Sequence, residues 1–121
     1  MGKRMLVVDD YPGISDALAI LFREEGYLVD NTMDSSKAAL LIKKNRYDVC
    51  IFDYKMKPLT GIDLLKMVKN INPQCAVFII SGVLNIDLLS EDKNLVSLAT
   101  ELISKPFDAE ALLKKVAAVI Q

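Results

Sequence analysis

Acidic residues stand where apolar runs end. Asp9 and Asp10 follow Met5-Leu6-Val7-Val8, and Asp53 follows Val49-Cys50-Ile51-Phe52. Ser81 follows Ala76-Val77-Phe78-Ile79-Ile80, and Lys105, with Pro106 beside it, comes just after Leu102-Ile103. Close carboxylates repel and raise one another's pKa unless a cation intervenes. Lys105 offers one positive charge, and a divalent ion would add two more. An all-oxygen donor set that leaves room for water suits magnesium better than zinc or copper. Magnesium commonly joins one or two carboxylates to a substrate's phosphate. Beside such an ion Asp53 can act as a nucleophile toward phosphorus. That chemistry needs positioning and charge neutralisation more than acid–base groups, which suits a chain without histidine.

The missing histidine excludes Ser-His and Cys-His nucleophile pairs and any histidine-containing zinc site. Any phosphohistidine in the reaction must belong to a partner. Cys50 and Cys75 are too few for a four-thiolate site. Both lie in strand-like apolar runs and read as reduced core thiols, which points to a cytoplasmic protein. A net charge of −1 gives no broad attraction to nucleic acid. No apolar run reaches membrane-spanning length, and Asp9 and Asp10 interrupt the first one, so no signal-peptide pattern forms. The expectation is a single domain over residues 1–121, with 52% apolar and 26% charged residues and a core that needs no staples.

The runs ending at the polar residues read as strands buried on both faces of a parallel sheet. Tyr27-Leu28-Val29 and Leu102-Ile103 are shorter and read as strands nearer the edges. Ile14, Ala17, Leu18, Leu21 and Phe22 form one helical stripe, with Pro12 in its first turn and Gly26 at its stop. A second helix starts with Asp34 or Ser35 as cap and runs to about Asn45. A third carries Leu64, Leu65, Val68 and Ile71 and ends before Asn72-Pro73. The last is capped by Asp108 and presents Leu112, Leu113, Val116, Ala117 and Ile120. Ile86 and Leu89 begin a further helical pattern that Ser90 to Asn94 break, giving two short pieces or a frayed helix. Five strand–helix alternations predict a doubly wound α/β domain with helices on both faces and the flavodoxin-like strand order 2-1-3-4-5. Sites in such sheets form beyond the carboxyl ends of the strands. That is where Asp9, Asp10, Asp53, Ser81 and Lys105 would meet.

Val7-Val8-Asp9-Asp10, Asp53 eight residues before Gly61, Ser81-Gly82 and Lys105-Pro106-Phe107 occur in this order along the chain. In this the chain resembles the receiver domain of two-component response regulators over nearly its whole length. The resemblance implies a phosphoryl group passing from a sensor histidine kinase or histidine phosphotransfer protein to Asp53. Asp10 and Asp53 would then ligate magnesium directly, Asp9 mainly through water, and Lys55 through its backbone carbonyl. Lys105 would pair with the phosphoryl oxygens, and Ser81 would turn its hydroxyl toward them. The output would be altered binding of a downstream effector protein or domain, with no turnover of a separate substrate beyond the protein's own phosphoryl acceptance and hydrolysis. Two positions depart from the family pattern. Lys57 stands where proline is usual, with Pro58 one residue later, and Leu102 stands where an aromatic residue is usual.

Competing readings follow from the same residues. A pseudo-receiver would keep the fold as a constitutive protein-binding module without regulated phosphorylation, and Lys57 and Leu102 motivate it. A flavin or nucleotide carrier would need a Gly-rich phosphate loop, where this chain has an acidic first turn. Singly, Asp9-Asp10 before Pro12 would serve as a helix cap, and Asp53 as a turn residue. No effector domain is visible, which fits a stand-alone receiver or one cut from a longer protein.

Overall fold

The computed structural model describes residues 2–82 and 94–120. Strands β1 (Arg4–Val8), β2 (Leu28–Thr32), β3 (Val49–Asp53), β4 (Ala76–Ser81) and β5 (Glu101–Ser104) pair in parallel. Their order is β2-β1-β3-β4-β5, as the alternation predicts. Among the described residues the helices are α1 (Ile14–Glu24), α2 (Ser35–Lys44), α3 (Gly61–Ile71) and α4 (Ala109–Val119), with a short 3-10 turn at Val96–Leu98. The helical starts expected at Ile86 and Leu89, and most of the polar break after them, lie outside the described residues.

Alternate strand residues point to opposite faces, which explains why the central strands read as unbroken apolar runs. Leu6, Val8, Cys50, Phe52, Val77 and Ile79 face one way, against Ala38 and Ile42 of α2 and Leu64, Leu65 and Val68 of α3. Met5, Val7, Val49, Ile51, Phe78 and Ile80 face the other, against Leu18, Ala19 and Phe22 of α1 and Leu112 and Val116 of α4. The two thiols belong to the first layer, with Cys50 Sγ 3.7 Å from Cys75 Sγ, both free and buried. Burial pushes the Cys50 thiol up, which keeps it protonated and inert.

Three details differ from expectation. Strand β2 begins at Leu28, leaving out Tyr27, and continues through Asp30, Asn31 and Thr32. It is an edge strand paired only with β1, so it keeps polar residues, and its Leu28 is 59% exposed. Ala17, Ile71 and Ala117, placed on apolar helix stripes, are exposed, Ile71 by 41%. Pro12 lies in the turn ahead of α1, whose N-cap is Gly13 at φ 86°.

Capping fixes the other helix starts. Asp34 Oδ1 accepts from the Ser36 and Lys37 amides, at 2.8 and 3.4 Å, and Asp108 Oδ1 from the Glu110 amide at 3.1 Å. At α3 a reciprocal box forms: Thr60 Oγ1 accepts from the Asp63 amide at 3.2 Å, and Asp63 Oδ2 from the Thr60 amide at 2.9 Å. Thr60→Ala is expected to cost about 1 kcal/mol, read as a lower urea midpoint at unchanged slope. An unchanged midpoint would show that other contacts set the start of α3.

Candidate functional site

Strand register brings the polar residues together. Val8 pairs with Phe52, so Asp9 and Asp53 come next on neighbouring strands at one level. Asp53 is the last residue of β3, and Ser81 the last of β4. Ser81 pairs with Ser104, and the Lys105 amide then donates to the Ser81 carbonyl at 2.8 Å. The ammonium of Lys105 lies 3.1 Å from Asp53 Oδ1 and 3.5 Å from Asp9 Oδ2. One carboxylate oxygen from each of Asp9, Asp10 and Asp53 lies within 4.8 Å of the others.

Neither Asp9 nor Asp10 caps α1, which has no side-chain cap. Asp9 Oδ1 instead accepts from the Tyr11 amide at 2.9 Å, turning the chain away from the strand. Asp9 is only 2% exposed, and its Oδ2 takes no hydrogen bond among the described residues. A buried carboxylate oxygen in that state calls for a cation. Lys105 faces it as a charge, yet three carboxylates against that ammonium leave negative charge in excess.

The imbalance acts on Asp53, which is 5% exposed. Burial, then the Asp9 carboxylate and more weakly Asp10, raise its pKa from 3.8 to about 6 against the pull of Lys105. For Lys105, burial lowers the pKa, but the carboxylates of Asp53 and Asp9 outweigh it and hold the ammonium above its ordinary value. With hard oxygen donors and surplus negative charge, the residues fit a hard divalent cation such as magnesium.

The side chains expected at the site, those of Asp9, Asp10, Asp53, Ser81 and Lys105, lie at this end of the sheet, and Ser81 is buried there. Lys55 and Lys57 extend outward, exposed, and with Asp10 and Thr60 line an open groove of about 680 Å³. Leu102 is half-buried against the layer holding Phe52 and Ile79. Three contributors carry no sequence signal of this role. They are the Tyr11 amide on Asp9, Ser35 Oγ accepting from the Leu59 amide at 3.1 Å, and an apolar groove of Tyr11, Ile14 and Phe107 beside Lys105. The Thr60–Asp63 box could have been found, since a hydroxyl residue three before an acidic one ahead of an apolar stretch is its pattern.

Residues 5–117 match the sequence profile of the response regulator receiver domain. The chain belongs to this family. It is 31% identical over 112 residues to sporulation initiation phosphotransferase F of Bacillus subtilis (strain 168), covering 93% of this chain and 89% of that protein. It is 29% identical to the DNA-binding response regulator MtrA of Mycolicibacterium smegmatis, spanning 98% of this chain but 50% of that protein. The receiver domain of the Francisella response regulator 1452 superposes with a TM-score of 0.82 at 28% identity, covering 98% of this chain and 97% of that one. A CheY-like receiver domain protein from Methanospirillum hungatei JF-1 shares the fold at a TM-score of 0.87, with 24% identity and coverage of 99% and 94%. As a receiver domain, the chain is a module of two-component signalling. No helix among its described residues is long and apolar enough to cross a membrane.

Proposed function

We propose that this receiver domain is a phosphorylatable cytoplasmic switch in which Asp53 takes a phosphoryl group from a histidine of a sensor kinase or phosphotransfer protein. The observation that carries the reading is the Asp53 carboxylate, held at a strand end 3.1 Å from Lys105 and clustered with Asp9 and Asp10. An Asp53 oxygen attacks phosphorus, and the P–N bond to the partner's imidazole breaks as the O–P bond forms. The β3 backbone orients the attacking oxygen. Lys105 offsets the charge gathering on the phosphoryl oxygens, and Ser81 presents its hydroxyl toward them. Asp9, Asp10, Asp53 and the Lys55 carbonyl would hold magnesium, which when bound neutralises charge shared by carboxylates and phosphoryl group. The phosphorylated surface would then recruit an effector protein or domain.

Intact mass after incubation with a small acyl phosphate and magnesium tests the reading. One added phosphoryl group is expected. An unmodified protein would instead indicate a pseudo-receiver that binds its partners constitutively.

A further inference from the structure

We propose that Gly61 is a positioning residue for Asp53: the lack of a side chain there lets α3 begin directly on the end of β3. The proposal rests on Asp53 being the phosphoryl acceptor. A methyl group on Gly61 would lie 2.4 Å from the Asp53 carbonyl oxygen, 3.1 Å from its carbonyl carbon and 3.1 Å from Tyr54 Cα. All three are main-chain atoms, so no side-chain rotation relieves the overlap.

Neither partner in this contact is free to retreat. All five residues of β3 are buried, and strands flank it on both sides. Just beyond Asp53, the Tyr54 amide donates to the Ile80 carbonyl at 2.7 Å. On the helix side, the Gly61 amide donates to the Tyr54 carbonyl at 2.9 Å and closes the loop between them. The Thr60–Asp63 box and the Leu59 amide on Ser35 Oγ hold the approach to α3, while Leu64 and Leu65 are buried beneath it. A side chain at 61 must therefore displace the strand end that carries Asp53 or the loop that carries Lys55. Backbone hydrogen bonds hold this loop at both ends, at Tyr54 and at Gly61, and Lys57 between them is exposed.

Alanine normally favours a helix over glycine, so a role confined to the helix predicts that Gly61→Ala gains stability. The overlap predicts a loss, together with a displaced acceptor. The test compares wild type, Asp53→Asn, Gly61→Ala and Val116→Ala, the last a core truncation in α4 on the opposite face of the sheet. The readouts are the Asp53 and Tyr54 amide chemical shifts in metal-free protein, and the rate of phosphoryl acceptance from a small acyl phosphate with magnesium. Gly61→Ala is expected to move both amides and to slow acceptance about tenfold or more per folded molecule. Val116→Ala is expected to lower the melting temperature with rate and amides near wild type. If Gly61→Ala is partly unfolded, both readouts are taken at matched folded fraction in trimethylamine N-oxide, which favours the compact state. Unmoved amides with a wild-type rate would overturn the proposal. An unmodified wild type would overturn the acceptor reading instead, and the amide shifts, which need no phosphoryl transfer, would still decide the case of Gly61.

Discussion

Asp53→Asn is expected to abolish phosphoryl acceptance and, in metal-free buffer at neutral pH, to raise the melting temperature. The first effect follows from chemistry: an amide is no nucleophile toward phosphorus at neutral pH, so the loss should be complete by intact mass. The second follows from linkage. Folding lifts the Asp53 pKa from 3.8 to about 6, mainly by burial and by the neighbouring Asp9. Between these values the folded protein keeps a proton that the unfolded chain has released. Stability therefore falls as pH rises through that window, and the whole penalty stands above about 6. Each pKa unit corresponds to about 1.4 kcal/mol, part of which solvent at the mouth of the site screens, leaving a penalty on the order of 1–2 kcal/mol. Asparagine keeps the shape without the charge, and Lys105 retains Asp9 at 3.5 Å. The gain should be several degrees at neutral pH and should vanish as pH falls toward the ordinary carboxylate range. Thermal melts of both proteins across that range check it. A gain of equal size at every pH, or a lower melting temperature at neutral pH, would show that charge crowding does not govern this site.

The parts legible in the sequence are those where one physical demand dominates. Strands β1, β3 and β4 are covered on both faces, so their residues read as apolar whatever their neighbours. Asp108, and either Asp34 or Ser35, read as caps because a short polar acceptor just before an apolar helical stripe satisfies the free amides of the first turn. The strand-end residues of the site were legible for a related reason. Once the strand order is inferred, the ends of β1, β3, β4 and β5 must adjoin. Strand β2 was harder because an edge strand has one partner and less to bury. Its Asp30 instead accepts from the Tyr47 hydroxyl at 2.7 Å, and Asn31 Nδ2 donates to Asp16 at 2.7 Å, pairings that no local pattern announces. The spacing of Asp53 and Gly61 was visible as a motif, but its steric cause was not. It depends on an approach between helix and strand that only three dimensions disclose.

Asp10→Ala is expected to remove most of the stabilisation that magnesium confers while barely changing the metal-free protein. The three carboxylates are not equivalent. Asp9 and Asp53 are buried and paired with Lys105, so replacing either changes the charge balance of the metal-free site as well as its oxygen donors. Asp10 is exposed and contributes an oxygen to the cluster. Its loss should cost the apo fold no more than about 0.5 kcal/mol, as for a surface substitution, and relief of repulsion with Asp53 acts in the opposite direction. The bound state is different, because a ligand that binds only the folded chain stabilises it by RT ln(1 + [L]/Kd), about 2.7 kcal/mol at a hundredfold excess over Kd. Wild-type protein should accordingly melt several degrees higher in saturating magnesium. Asp10→Ala should show little of that rise at the same concentration and recover some of it only as magnesium increases, since affinity is weakened rather than the fold. A full rise in Asp10→Ala at low magnesium would place the cation away from the first-turn carboxylates. A similar loss of the rise in Thr60→Ala, whose side chain supplies no carboxylate, would show that shape at the start of α3 governs binding rather than the charge of Asp10.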